Sequence, residues 1–567
     1  MAWRWRRGPD LPPSVVVTPR RQPDQPNAAA DLLLVLYNRR LALLAPFLPR
    51  KKGAAEISGC PTSTSAAAHP SPACPVRCRA RYLVAFFPGN AACGCGPLLP
   101  PAFQSPKPYR SCYRRLLRVD DRRSSALVQF LKDEGAVPSP EDEKKREHVI
   151  RELKKIVVHW AKVVACEQNV PQRLATATVL TYGSYTLGVH GPESDIDALC
   201  VGPCIATLQY HFFVVLRQIL EGRPEVSEVQ AVEGAKVPLM RFRFAGIAVD
   251  FTYSQLPAIN TFSIQSLRKI DERSWSSLSG VCINEKIVQL VPNAEKFQVL
   301  LRCIKLWARK RGLRCHHLGF FAGIHLAILA AYVCRRWPNA SVNGLFTMFF
   351  QTSAHWSWQV PVTLHDEPTA CLHPEGRLMP IVMPCTPPEF CMSNVTKGTF
   401  KKIREELTRG YALTRDPLRH DFEWTWLFEP FPYANKYQQF LRIYLCAPTA
   451  AELRDWAGWV KSRSRFLILK LERDGINCDP CPFEEVDHTF KEPNMIFYWD
   501  LIPETVIHVD TTLLKEDFMK NITNDVYGKV KCTHSDVTIS VVGLPQFPKS
   551  MCSHSAHLQY MEHRMLG

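Results

Sequence analysis

Asp195 and Asp197 lie two residues apart in Ser194-Asp195-Ile196-Asp197-Ala198-Leu199-Cys200-Val201, a run with the composition of a strand. Side chains alternate along a strand, so both carboxylates project from one face while Ile196 enters the core. Two like charges on one face are unfavourable unless a cation lies between them. A hard divalent cation, which prefers oxygen ligands and phosphate, is the natural partner. Upstream, Gly183-Ser184 offers backbone N–H groups and a hydroxyl to a phosphate. In Ile247-Ala248-Val249-Asp250-Phe251, alternation puts Ile247, Val249 and Phe251 on one face and Ala248, Asp250 and Thr252 on the other. A strand carrying Asp250 beside the first would bring three carboxylates together. That set suits two metal ions in an in-line phosphoryl displacement, one activating the attacking hydroxyl and one holding triphosphate and leaving oxygen. Neither GxxxxGK[ST] nor HExxH occurs, so P-loop and zincin chemistry lose their usual support.

Basic residues form a second signal. Lys296, Arg302, Lys305, Arg309, Lys310, Arg311 and Arg314 follow one another with no intervening acid, and Arg302, Lys305 and Arg309 share a helical face. Such a face can track triphosphate and RNA backbone, or can simply be solvated. Lys461, Arg463 and Arg465 form a similar strip with the same two readings. Trp307 and Phe320 sit in apolar stretches and read as core.

The elements that must position these residues follow from periodicity. Ser139 is a plausible helix cap with Pro140 at the first position and acids in the first turn, and Val149, Leu153, Ile156, Val157 and Trp160 continue a helical stripe. Strands are expected at 175–181 and 195–201, a helix at 211–220, and a hairpin of 237–244 with 247–253 turning at Ala245-Gly246. Residues 293–337 read as two apolar-faced helices, and 338–400 as loop-rich. Beyond Phe422, strands at 439–446, 465–471 and 537–542 are expected around a helix at 450–461.

Residues 1–118 carry 18 Lys and Arg but only four acids, so they hold most of the formal net charge of +17. Rich in Pro, Ala and Arg, they read as a disordered extension, with a transit peptide as the alternative. The 21 cysteines follow no disulfide framework and read as reduced thiols. Cys478-x-x-Cys481 has the most metal-like spacing, but no second pair follows at zinc-ribbon distance. No segment reads as membrane-spanning: 32–44 is broken by Asn38-Arg39-Arg40, and 318–333 is short and carries His325.

Taken together, Gly183-Ser184, Leu187-Gly188-Val189-His190-Gly191 and Asp195-Ile196-Asp197-Ala198-Leu199-Cys200-Val201 resemble eukaryotic nuclear-type poly(A) polymerases of the polymerase-β-like nucleotidyltransferase superfamily. Ile304-Lys305-Leu306-Trp307-Ala308, Leu318-Gly319-Phe320, Met379-Pro380-Ile381 and Ala447-Pro448-Thr449 support the likeness, which runs from about residue 124 to about 550. The resemblance implies an α+β multidomain chain with a nucleotidyltransferase catalytic domain (119–265), a central helical domain (266–400) and a C-terminal RRM-like domain (401–567). It implies template-independent addition of AMP from ATP to an RNA 3′ end, with two Mg²⁺ or Mn²⁺ ions. Asp195, Asp197 and Asp250 would be catalytic and hold the metals. Tyr182, Gly183, Ser184, Gly191, Ile196, Lys305, Arg314, Gly323 and Ile324 would complete the ATP site, and Arg302, Arg309, Lys461 and Arg463 would touch RNA. The implied partners are RNA, ATP and mRNA 3′-processing factors, with no membrane, for a monomer.

The chain departs from the family pattern at Arg314, where Tyr is usual, at Ser279, where Asn is usual, and at Ala322, where Gly is usual. Arg314 can stack on a base or grip phosphate. These departures keep two alternatives in play: a weakened relative acting as an RNA-binding protein, and a transferase of other base preference, such as uridylate. The nucleus is the location implied by resemblance. The cytoplasm is the alternative, because no long basic tail follows the RRM-like region.

Overall fold

The computed structural model describes residues 107–255 and 272–548, apart from short gaps at 236, within 367–375, at 418 and 420, at 504–509, and at 525 and 547. Residues 1–106 of the basic extension lie outside the described residues. The first helix, α1 (Lys107–Asp133), begins inside the stretch expected to lack structure. Its Leu127 and Leu131 are buried, so this helix packs against the core although it starts in Pro/Arg-rich sequence.

Helix α2 (Pro140–Glu167) starts as its sequence requires. Ser139 accepts from the Asp142 N–H at 3.1 Å, Asp142 returns the bond to the Ser139 N–H, and Pro140 occupies the first turn. Its apolar stripe from Val149 to Ala165 covers one face of a five-stranded sheet. The strands are β1 (Thr178–Thr181), β2 (Ile196–Gly202), β3 (Val226–Val232), β4 (Leu239–Phe244) and β5 (Ile247–Gln255), in the order β1-β2-β5-β4-β3. Only β2 and β5 run parallel. The β4–β5 hairpin turns at Ala245 (φ 49°) and Gly246 (φ 79°), the two positive φ values that a type I′ turn needs. A single helical turn, α3 (Gly183–Thr186), lies between β1 and β2. The segment expected as a helix at 211–220 is helical, but over Leu208–Leu216 it is wound as a wider π-helix.

Helices α4 (Glu272–Leu290), α5 (Ala294–Lys310), α6 (Gly323–Arg336), α7 (Val342–His355) and α8 (Lys397–Thr414) build a helical layer. Helix α7 falls inside the stretch expected to be loop-rich. Its Phe346, Phe349 and Phe350 are aromatic and dense rather than cleanly periodic, yet all three are buried.

The last unit runs β6 (Gln439–Cys446), α9 (Ala450–Arg473), β7 (Ile476–Glu485), β8 (Asn494–Pro503), α10 (Thr511–Ile522), β9 (Asp536–Gly543). Its sheet is antiparallel, in the order β9-β6-β8-β7, a βαββαβ arrangement. The strand expected at 465–471 is instead the second half of α9. Leu467, Ile468 and Leu471 are buried at helical spacing, and Thr449 caps a helix that runs unbroken to Arg473. Strands β7 and β8 escaped the sequence reading because Pro480, Pro482 and a bulge near Phe497 interrupt their alternation. Cys478 faces the core shared with the helical layer, while Cys481 packs among Phe431, Tyr433 and Tyr437. The CxxC thiols therefore belong to two different clusters. Among the described residues, no helix is long and apolar enough to cross a membrane.

Two large cores organise the described residues. One lies under the first sheet, between α2 and Ile196, Ala198, Val249 and Phe251. The other runs through the helical layer into the C-terminal sheet, and it also takes in Leu187 and Val189 from the loop leading to Asp195.

Candidate active site

Register decides the site. Asp197 on β2 stands opposite Asp250 on β5, across the one parallel pairing in the sheet. Neighbouring residues Ile196 and Val249 are likewise opposite each other, and both are buried below the sheet. Asp195 precedes β2 by one residue and is exposed at its mouth. The alternation read from sequence thus puts Asp197 and Asp250 side by side.

Helix α3 is docked against Asp197. The Tyr182 N–H donates to the Asp197 carbonyl at 3.0 Å. Gly183 has φ +65°, and a Cβ there would lie 1.8 Å from the Asp197 carboxylate, so only glycine permits this approach. The Ser184 N–H bonds the Asp197 carboxylate. Burial, then the charges of Asp195 and Asp250, push the Asp197 carboxyl up to about 7, against the opposing pull of Ser184 and Lys305. Burial also raises Asp250, opposed by Arg241. Arg241, directly across from Asp250 on β4, holds it with a two-pronged contact at 3.1 and 3.3 Å. Nothing in the sequence pattern singled out Arg241. Its one signal is the β4 register, which the hairpin turn sets.

The carboxylates fit divalent cations in charge, donor type and placement on one face. They are neighbours on the sheet rather than a closed ligand set: among the described residues, no three His, Cys, Asp or Glu side chains are already gathered to hold an ion. When bound, the ions would supply charge neutralisation at phosphate and acidity at the attacking hydroxyl.

Around them, the Tyr182 hydroxyl lies 3.4 Å from the Thr252 hydroxyl, and Gly280 of α4 abuts the Tyr182 ring. Asn284, buried on α4, donates to the Gly183 carbonyl at 3.3 Å, a supporting contact that the sequence reading missed. Ser279 returns its hydroxyl to the Ser276 carbonyl of its own helix at 2.9 Å. Lys305 donates to the Val189 carbonyl at 2.7 Å; burial, Arg314 and Arg302 push its ammonium down to about 7. Gly191 donates its N–H to the Ser194 hydroxyl at 2.9 Å. Gly323 and Ile324 open α6, with clear space where a Gly323 Cβ would stand.

The basic residues divide. Arg302, expected to touch RNA, turns inward: it donates to the carbonyls of Ala136 and Gly188, each at 2.9 Å, and to that of His190. Arg309, Arg314 and Lys461 line a cavity of about 140 Å³ with Phe483, Phe497 and Trp499. Lys461 also pairs with Glu484 at 2.8 Å. Arg463 lies over the Trp459 ring, 3.2 Å from its centroid.

Two family models match this chain: the poly(A) polymerase nucleotidyltransferase domain over residues 118–291 and the poly(A) polymerase central domain over 296–430. The chain belongs to the poly(A) polymerase family. It is a nucleotidyltransferase, a polynucleotide adenylyltransferase. It is 46% identical over 440 residues to nuclear poly(A) polymerase 3 of Arabidopsis thaliana, covering 76% of this chain and 86% of that one. It is 33% identical over 427 residues to poly(A) polymerase PAPalpha of Candida albicans, covering 70% and 74%. Nuclear poly(A) polymerase 2 of Arabidopsis thaliana is 35% identical over 406 residues, covering 68% of this chain but only about half, 51%, of its own length. A solved structure of Cid1, described by its RNA terminal uridylyl transferase activity, is 12% identical with a TM-score of 0.40, covering 55% of this chain and 99% of that one. That likeness is too distant to bear on base choice. Members of the family use a divalent metal and a nucleoside triphosphate.

Proposed function

We propose that this chain adds AMP from ATP to the 3′-hydroxyl of RNA without a template and releases pyrophosphate, acting in mRNA 3′-end polyadenylation. The observation that carries the site assignment is the Asp197–Asp250 register across parallel strands, with Asp195 at the strand mouth. Asp195, Asp197 and Asp250 hold two divalent ions, Mg²⁺ or Mn²⁺. Asp250 lies nearest the attacking hydroxyl, and Arg241 orients its carboxylate. Tyr182, Gly183, Ser184 and Gly191 line triphosphate and sugar, and Lys305 faces phosphate. Gly323 and Ile324 flank the adenine, with Arg314 at its edge.

The C-terminal βαββαβ unit is RRM-like and helps hold RNA; its strand order β9-β6-β8-β7 supports this reading. Arg309 near the end of α5, with Lys461 and Arg463 on α9 of this unit, are the candidate RNA contacts. One face of its sheet is packed under Phe431, Tyr433 and Tyr437, which favours RNA contact through the basic cavity rim instead. The domain boundaries 119–265, 266–400 and 401–567 remain the working division, and the chain acts as a monomer with 3′-processing factors as partners. The names of the plant relatives favour the nucleus.

The test is extension of a labelled short RNA by the full chain, with each nucleotide supplied alone. A ladder with ATP alone is expected. A ladder with UTP, or with several nucleotides, would retain the metal site and overturn the base assignment at Arg314. Binding without extension would support the RNA-binding alternative.

A further inference from the structure

Five successive backbone carbonyls, from Gly188 to Pro192, each accept a hydrogen bond from a cationic side chain. Arg302 donates to Gly188 at 2.9 Å and to His190. Lys305 donates to Val189 at 2.7 Å. Arg146 donates to Gly191 at 3.3 Å and to Pro192 at 2.6 Å. These carbonyls span the loop that joins α3, which carries Ser184, to Asp195 at the mouth of β2. Arg146 comes from α2, whereas Arg302 and Lys305 come from α5, so the loop is gripped by two separate helices.

Arg146 is only 2% exposed. The charged and titratable groups around the loop are Asp142 and Glu143 of α2, His190 and Tyr185 of the loop side, Arg309 and Arg314 near the end of α5, and Asp195. Glu143 stands 2.9 Å from the ring of His190. Burying this much positive charge is costly when carbonyl dipoles are the main acceptors. Neutral donors would close the loop equally well if closure were the whole task. The placement of the charge indicates a second task, because Asp195 is within electrostatic reach of both Arg146 and Lys305.

We propose that Arg146 and Arg302 are positioning residues: by holding the Gly188–Pro192 carbonyls they fix Asp195 beside Asp197 in the arrangement that binds the divalent ions. This rests on the carboxylate reading above. It also gives Arg302 a role other than the RNA contact its helical face suggested. Lys305 takes part in the same cradle through Val189, so the α5 face that meets phosphate also braces the metal-binding loop.

The experiment is Mn²⁺ binding to the full chain, followed by loss of the free-ion EPR signal, together with kcat and the KM values for ATP and RNA. The variants are Arg302→Met, Arg302→Lys, Arg146→Met and Arg146→Lys. Arg335→Met serves as control, since Arg335 likewise caps a carbonyl, that of Leu364, in the helical layer. The Met variants are expected to raise the Mn²⁺ midpoint roughly tenfold, the range seen when groups supporting metal ligands are removed, with KM for RNA unchanged. The Lys variants keep the charge but lose the fork and should fall between. Should the Met variants not fold, the Lys variants carry the test, because a shifted midpoint in a folded Lys variant still supports the proposal. A wild-type midpoint in the folded variants, or an equal shift in Arg335→Met, overturns it. Asp197→Ala separates the two readings. If it also binds Mn²⁺ as wild type does, the carboxylate assignment falls and this inference with it; if it loses Mn²⁺ while the Arg variants do not, this inference alone falls.

Discussion

At the scale of residues, Gly183 and Lys305 do work that charge alone does not reveal. A methyl at position 183 has no room beside the Asp197 carboxylate, and the residue's φ of +65° is strained for any other side chain. Gly183→Ala should therefore push Asp197 out of line and lower kcat by about 100-fold, the scale of a displacement near 1 Å. RNA binding should persist, which a filter-binding assay would check. Lys305 has its folded-state pKa depressed from 10.5 to about 7 by burial and neighbouring cations. The ordinary ammonium stays charged in the unfolded chain until near 10.5. Its penalty to stability is therefore complete below about 7 and fades as pH rises from there toward 10.5. Lys305→Met should be more stable relative to wild type at pH 6 than at pH 9. The difference should grow by about 2–3 kcal/mol on acidification, from roughly 1.4 kcal/mol per pKa unit. Chemical denaturation of both proteins at the two pH values measures this. A difference independent of pH would mean that Lys305 is not buried as a near-neutral amine.

At the scale of elements, legibility followed periodicity. The Asp195–Asp197 strand, the Asp250 strand, the Ala245-Gly246 turn and the Ser139 cap were all readable, because each is specified by residues within a few positions. What neighbouring elements decide was not readable. Arg241 meets Asp250 only through the β4–β5 register, and Asn284 reaches Gly183 across 101 positions of sequence. The segment 465–471 looked β-like from Phe466, Leu467, Ile468 and Leu469, but the helix begun at Thr449 carries through it and buries Leu467, Ile468 and Leu471 along one side. Propensity in a short apolar run yields to the longer element that contains it. Arg302 shows the converse limit. A cationic helical face reads alike whether it meets solvent, nucleic acid or backbone, and here main-chain carbonyls 112–166 positions away claim it.

At the scale of the whole molecule, the helical layer and the C-terminal unit share one core and one buried ion pair, Lys402–Asp479, and the helical layer holds a second, Arg311–Glu406, within itself. Arg311 grips Glu406 with both prongs, at 2.8 and 2.9 Å, and Lys402 meets Asp479 at 2.7 Å. Both members of each pair are at most 6% exposed at their side chains. Lys402→Met would leave the Asp479 carboxylate buried without its cation and should cost about 3–5 kcal/mol. Adding Asp479→Leu should recover most of that loss, since replacing a buried pair with apolar groups is often close to neutral. Urea unfolding of the single and double variants would measure both effects. No recovery in the double variant would mean that the pair, rather than the orphaned charge, holds these units together. Neither Lys402 nor Asp479 lies on β2, β5 or the loop leading to Asp195, so folded protein of either variant should keep its metal dependence.

The proposed chemistry depends on the carboxylates brought together by β2 and β5. The most direct test compares full-length wild type with Asp197→Ala for ATP-dependent extension of a labelled RNA, alongside RNA binding under the same conditions. The expected result is a loss of at least about 1,000-fold in rate, equivalent to roughly 4 kcal/mol of transition-state stabilisation, with RNA affinity retained. Extension by Asp197→Ala at a rate near wild type would contradict the account, because the chemistry would then reside elsewhere in the chain.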